Sequence, residues 1–79
     1  MAEIWNYATI KELLYAPGLG HYFTYGLLAA RKINAAWEPV EFIHDVTTDY
    51  LLVKKMEELF NRYQLYPIHL RDAIEDMLP

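Results

Sequence analysis

The chain contains neither cysteine nor serine. The first absence excludes disulfides and thiolate zinc sites. The second removes every serine nucleophile. Glycine is scarce, with three residues in all, and Gly18-x-Gly20 lacks the strand–loop–helix surroundings that a phosphate loop requires. No apolar run approaches the roughly 20 residues of a membrane span. No N-terminal stretch joins a positive leader to an apolar core. Positive charge is thin and dispersed: seven Lys and Arg stand against eleven Asp and Glu, for a net charge of −4. Nucleic acid needs a concentrated positive patch. The expectation is therefore a cytoplasmic protein with no nucleic-acid partner, no membrane association and no cofactor.

Aromatic residues are abundant: seven Tyr, three Phe and two Trp in 79 residues. That length makes one domain. A chain this short buries only about 60% of its unfolded surface, and ordering costs on the order of 1.5 kcal/mol per residue. Without disulfides, good packing or a partner chain must make up the difference. Large aromatic surfaces often end in interfaces.

The C-terminal half reads as two amphipathic helices, roughly 48–64 and 67–78. In the first, Leu52, Val53, Met56, Leu59, Phe60 and Tyr63 form one stripe of a 3.6-residue period. Lys54, Lys55, Glu57, Glu58, Asn61 and Arg62 fill the other side. Lys54–Glu58 and Glu58–Arg62 have the spacing of helical ion pairs. Thr47 or Thr48 is the expected cap, with Asp49 in the first turn. Pro67 ends that helix and suits the first position of the next. Leu70, Ala73, Ile74, Met77 and Leu78 make the second stripe, and Arg71 and Glu75 can pair. Such a hairpin lays both stripes on one floor.

Upstream, residues 21–32 carry apolar or aromatic groups at both alternations, as a central strand buried on both faces does. Gly26 within it marks a bulge or a close backbone approach. A further strand spans roughly 38–45, with Pro39 placing it at an edge. Residues 4–15 are ambiguous. Thr9 and Glu12 have capping-box spacing, whereas Ile4, Trp5, Tyr7, Thr9 and Ile10 favour strand. Pro17, Gly18 and Gly20 make a turn either way.

Three stretches carry a resemblance: Tyr25-Gly26-Leu27, Asp45-Val46-Thr47-Thr48-Asp49, and Leu65 through Asp76, which reads LYPIHLRDAIED. They resemble a family of small uncharacterised bacterial proteins with an Asp-Ile-Ser-Thr-Asp-like helix entry and a Pro-Ile-His-Leu-Arg-Asp-x-Ile-Glu-Asp-like C-terminal helix. The resemblance covers roughly the last two thirds of the chain and brings no catalytic residues. It departs at Tyr66, where a small capping serine is usual. It implies short strands followed by a helix pair, and turns residues 4–15 towards strand. The expected fold is α+β: about three antiparallel strands (roughly 4–15, 21–32 and 38–45) followed by a two-helix hairpin packed on one sheet face. The alternative is an N-terminal helix with a two-stranded ribbon.

Chemistry-bearing candidates are few. His69, Asp72 and Asp76 share about 60° of a helical wheel, and imidazole with two carboxylates suits zinc or manganese. The bland alternative is a solvated helix face. His44-Asp45 is a candidate catalytic pair or, more plainly, a packed histidine beside a backbone brace. Glu75 and Asp76 oppose the helix dipole near its C-terminal end; either Arg31, Lys32 or a partner protein answers them, or the exposed helix end tolerates the mild penalty. The favoured function is a non-enzymatic interaction or regulatory module, either self-associating as a homodimer or docking on another protein. Its expected contact residues are Trp5, Tyr7, Tyr15, Tyr22 and Leu28 on the uncovered sheet face, with Glu75 and Asp76. The alternatives are a metal-dependent protein using His69, Asp72 and Asp76, or a small-ligand binder.

Overall fold

A computed structural model describes residues 4–79. Three antiparallel strands, β1 (Trp5–Ala16), β2 (Gly20–Ile33) and β3 (Ala36–Thr47), form one sheet in the order β1-β2-β3. Two helices follow: α1 (Tyr50–Arg62) and α2 (Leu70–Met77), the latter entered through a single 3-10 turn, Pro67–His69. The ambiguous N-terminal segment is strand from Trp5 onward, because Trp5, Tyr7 and Thr9 pair with Arg31, Ala29 and Leu27 of β2.

Turn chemistry sets the meander. Leu19 N–H donates to Ala16 C=O at 3.1 Å, closing a turn with Pro17 at its second position and Gly18 at φ +83° at its third. That is the type II pattern. The second hairpin turns on Asn34 and Ala35, both at positive φ (48° and 69°), as a two-residue type I′ connection requires.

One sheet face carries the core. Trp5, Tyr7, Leu27 and Ala29 project towards Val53, Met56 and Phe60 of α1 and Leu70 and Ile74 of α2. Tyr7 meets Phe60 edge-to-face with centroids 5.6 Å apart, and Trp5 meets Tyr66 at 5.1 Å. Trp5 and Tyr7 are thus 8% and 1% exposed. They are core residues rather than part of an open face, a correction to the sequence reading. Alternation decides this, since both share the parity of Ala29 and Leu27 beneath the helices. Tyr63, expected in the α1 stripe, instead ends the helix and is exposed.

The helix caps also differ from expectation. Asp49, not a threonine, caps α1 by accepting Leu52 N–H at 3.2 Å, while Thr47 Oγ1 accepts Asp49 N–H at 3.1 Å. At the other end, Leu65 N–H reaches Phe60 C=O and Gln64 N–H reaches Asn61 C=O, with Gln64 at φ 50°. This is a Schellman ending with glutamine where glycine is usual. Arg71 bridges to Glu41 of β3 at 3.2 Å, across to the sheet rather than along its helix to Glu75. Lys54 pairs with Glu57 at 2.5 Å, not with Glu58.

Candidate interaction surfaces

Strand length and helix length do not match. Fourteen residues of β2 extend about 46 Å, whereas the thirteen of α1 rise about 20 Å. The molecule is accordingly elongated, 50 × 25 × 19 Å. The β1–β2 hairpin runs beyond the start of α1 as an arm. On the arm, Leu13 faces Phe23 and Tyr15 faces His21 across the register. Leu13 and Phe23 are each 57% exposed and Tyr15 is 65% exposed. Lys11 Nζ lies 4.3 Å from the Phe23 ring centroid. The row continues to Tyr25, whose ring lies 5.3 Å from that of Tyr50 at the start of α1, beside exposed Leu51.

The sheet face away from the helices holds a second surface. Leu14 stands opposite Tyr22, and Leu28 stands between Ala8 and Phe42. Tyr22 and Leu28 lie on this face and are half-buried. Tyr15 has the opposite parity and belongs to the arm. Trp37 is exposed at the far end, with Lys32 Nζ 5.8 Å from its ring. Lys32 therefore points away from Glu75 and Asp76, which lie exposed in the last turn of α2.

A polar cluster sits in the middle of this face, where β3 bulges between Ile43 and Thr47 opposite Gly26. Asp45 takes φ 51° there. Its backbone N–H donates to Glu12 Oε1 at 3.0 Å, and His44 Nδ1 lies 2.7 Å from Glu12 Oε2. His44 stacks on Phe42 at 4.2 Å. The Asp45 carboxylate accepts from Tyr22 Oη at 3.2 Å and from the fully buried Thr24 Oγ1 at 2.7 Å. The His44 bond, and then the Asp45 N–H, hold the Glu12 carboxyl below the usual carboxylate range. Burial, and then Asp45, push the Tyr22 phenol up. The side chains of His44 and Asp45 thus serve different partners, Glu12 for the imidazole and Tyr22 with Thr24 for the carboxylate, and do not pair with each other. Glu12 has both oxygens engaged in bracing the bulge, so the arrangement is that of a structural clamp. Gly26 makes it possible: a Cβ there would stand 2.6 Å from the Phe42 ring and 2.7 Å from Ile43 O.

The third feature is the edge of β1. Thr9 N–H donates to Glu57 Oε1 at 2.7 Å. Tyr7 N–H donates to Asn61 Oδ1 at 2.7 Å, and Asn61 Nδ2 returns a bond to Tyr7 O at 2.9 Å. Trp5 N–H donates to Gln64 Oε1 at 2.8 Å, and Gln64 Nε2 donates to Trp5 O at 3.0 Å. Side chains of α1 and its C-terminal turn therefore continue the sheet's hydrogen bonding along half of an edge strand. Burial pushes the Glu57 carboxyl up, but the Lys54 and Thr9 bonds outweigh it and hold it low. Tyr7 Oη donates to Leu65 O at 2.6 Å, and burial pushes its phenol up to about 12. Sequence reasoning placed Glu57 and Asn61 on the side of α1 opposite its apolar stripe. The missed signal is that Glu57 and Asn61 stand four apart on one helical stripe and, with Gln64 just past the helix end, end in carboxylate or amide groups.

His69, Asp72 and Asp76 are exposed. Among the described residues no group of three or more His, Asp or Glu is gathered to hold a metal ion. No helix among them is long and apolar enough to cross a membrane.

The fold defines a small α+β domain, a three-stranded meander covered on part of one face by two helices. The chain belongs to the family of unknown function DUF6514, whose model matches residues 2–79. Comparison with curated proteins and with solved structures finds no match.

Proposed function

We propose that this domain is a non-enzymatic protein-interaction or regulatory module of the cytoplasm, working through sheet surface that its helices leave bare. The observation that carries this reading is the arm. Leu13, Tyr15 and Phe23 lie on the helix-bearing side of the sheet but beyond the helices, and each is more than half exposed. Exposed apolar residues occurring singly are ordinary, whereas contiguous ones mark contact sites. These adjoin by register. The clamp around Gly26 supports the same reading, because it stiffens the sheet from which the arm projects.

The test is affinity capture from the native cell with wild-type chain and with Phe23→Asp in parallel. Proteins retained by wild type and lost with Phe23→Asp, while the variant keeps its circular dichroism spectrum, support the module. An identical retained set with both baits refutes it.

A further inference from the structure

Sheet edges invite strand pairing, and natural proteins blunt them. Here nearly every stretch of edge is blunted. Residues 5, 7 and 9 of β1 are sealed by Glu57, Asn61 and Gln64. β3 carries Pro39, which has no N–H, and two register breaks, leaving only short regular runs. One stretch differs. Lys11 to Tyr15 of β1 is regular, paired to β2 without interruption, and lies beyond the capping side chains. By the two-residue alternation of a strand, Lys11, Leu13 and Tyr15 turn their N–H and C=O groups outward, as Trp5, Tyr7 and Thr9 do.

We infer that this open edge pairs with the same edge of a second copy, antiparallel about a twofold axis at Leu13, giving a continuous six-stranded sheet. This rests on the interaction-module reading and names its partner. The register follows from chemistry. An axis at Leu13 sets Leu13 against Leu13, Lys11 against Tyr15 and Glu12 against Leu14 of the other copy. An axis at Glu12 would oppose two carboxylates, which is destabilising. An axis at Leu14 would bring Lys11 opposite Pro17, which lacks a donor. The chosen register also stops where it must. Thr9 would face Pro17 of the second copy, just where Glu57 closes the edge.

An axis perpendicular to the sheet keeps both helix pairs on one side. Phe23 and Leu13 of one copy then run into Leu13 and Phe23 of the other as one apolar row, bounded at each end by an α1 start. Side chains of this size expose on the order of 100 Å² each at these fractions. With Tyr15, the three side chains of two copies expose on the order of 600 Å² of such surface, to which the paired edge backbone adds, placing the contact at the small end of interface size.

The test is light scattering and sedimentation of the full chain across a wide concentration range. The expected species has twice the 9.3 kDa chain mass. Leu13→Pro removes an outward N–H without touching the β2 pairing and should weaken the dimer about 100-fold or more. Leu13→Lys should do the same by charge, and Trp37→Lys on the opposite face should not. Because the chain has no cysteine, Leu13→Cys gives a clean second readout. Facing residues of a hydrogen-bonded pair stand about 5.5 Å apart at Cα, within disulfide reach, so mild oxidation should link the copies. A monomer at the highest attainable concentration overturns the inference, as does a dimer that survives both Leu13→Pro and Leu13→Lys. Neither result removes partner capture that depends on Phe23, so the two readings fail separately.

Discussion

Asn61→Ala tests whether α1 truly seals the β1 edge. The asparagine side chain bonds both Tyr7 N–H and Tyr7 O. Each bond contributes about 1 kcal/mol net, and each partly buried backbone group left without a partner costs about 1–3 kcal/mol. Residual water access moderates this, so a loss of about 2–4 kcal/mol is expected. A 79-residue domain has on the order of 4–12 kcal/mol in total, so the change is a large fraction of its stability. Helix propensity acts the other way, because alanine is the better helix former by a few tenths of a kcal/mol. The two arguments therefore predict opposite signs. In urea titration the midpoint should fall by about 2–4 M for a slope near 1 kcal/mol/M. The thermal midpoint should fall by about 10–20 °C. Arg62→Ala, one position along and exposed, should stay within about 0.5 kcal/mol of wild type. An Asn61→Ala variant as stable as wild type, or more so, would refute the edge-sealing argument.

Gly26→Ala should cost about 2–3 kcal/mol in chemical denaturation, since the new methyl group meets the Phe42 ring and a backbone oxygen. Ala35→Gly should stabilise by about 1 kcal/mol, because glycine adopts the left-handed conformation of that turn without strain. Glycine at position 64 would normally improve a helix ending; Gln64→Gly should instead be neutral or destabilising here, because it forfeits both bonds to Trp5, and a clear rise in melting temperature would contradict this. Acid should loosen the clamp. The folded-state value of Glu12 lies below its unfolded value, so its contribution is present above the unfolded carboxylate range and is lost as pH falls through the folded value. The acid limb of stability against pH should be shallower in Glu12→Gln, and a superimposable limb would count against the clamp.

Both helices and the central strand were legible because their signals are local; residues 4–15 were not, since strand-favouring residues and a capping-box spacing overlap there. The apolar stripes from Val53 to Phe60 and from Leu70 to Met77 repeat at helical spacing, and both became core. Two-sided apolar character placed β2 at the sheet centre, and Gly26 marked a bulge or a close approach; the bulge lies in β3 opposite it, and the close approach is that of Phe42 and Ile43 O. The candidate surface was only partly legible. Tyr22 and Leu28 lie on the helix-free face, but Trp5 and Tyr7 lie beneath α1. Composition counts aromatic residues; it does not say which parity the helices will choose to cover. The Glu12–His44–Asp45 clamp joins residues about thirty positions apart, and no local pattern connects them.

What the chain order determined unaided is the two helices, the central strand and the Pro17-Gly18 turn, since periodicity and turn chemistry act over a few residues; residues 4–15 stayed open between strand and helix on local pattern alone. What required the assembled molecule is where α1 stops along the sheet. A helix rises 1.5 Å per residue and a strand about 3.3 Å, so strands and helix of similar residue count cannot end together. The overhanging arm, the sealed half of the β1 edge and its open remainder all follow from that mismatch once the register is set.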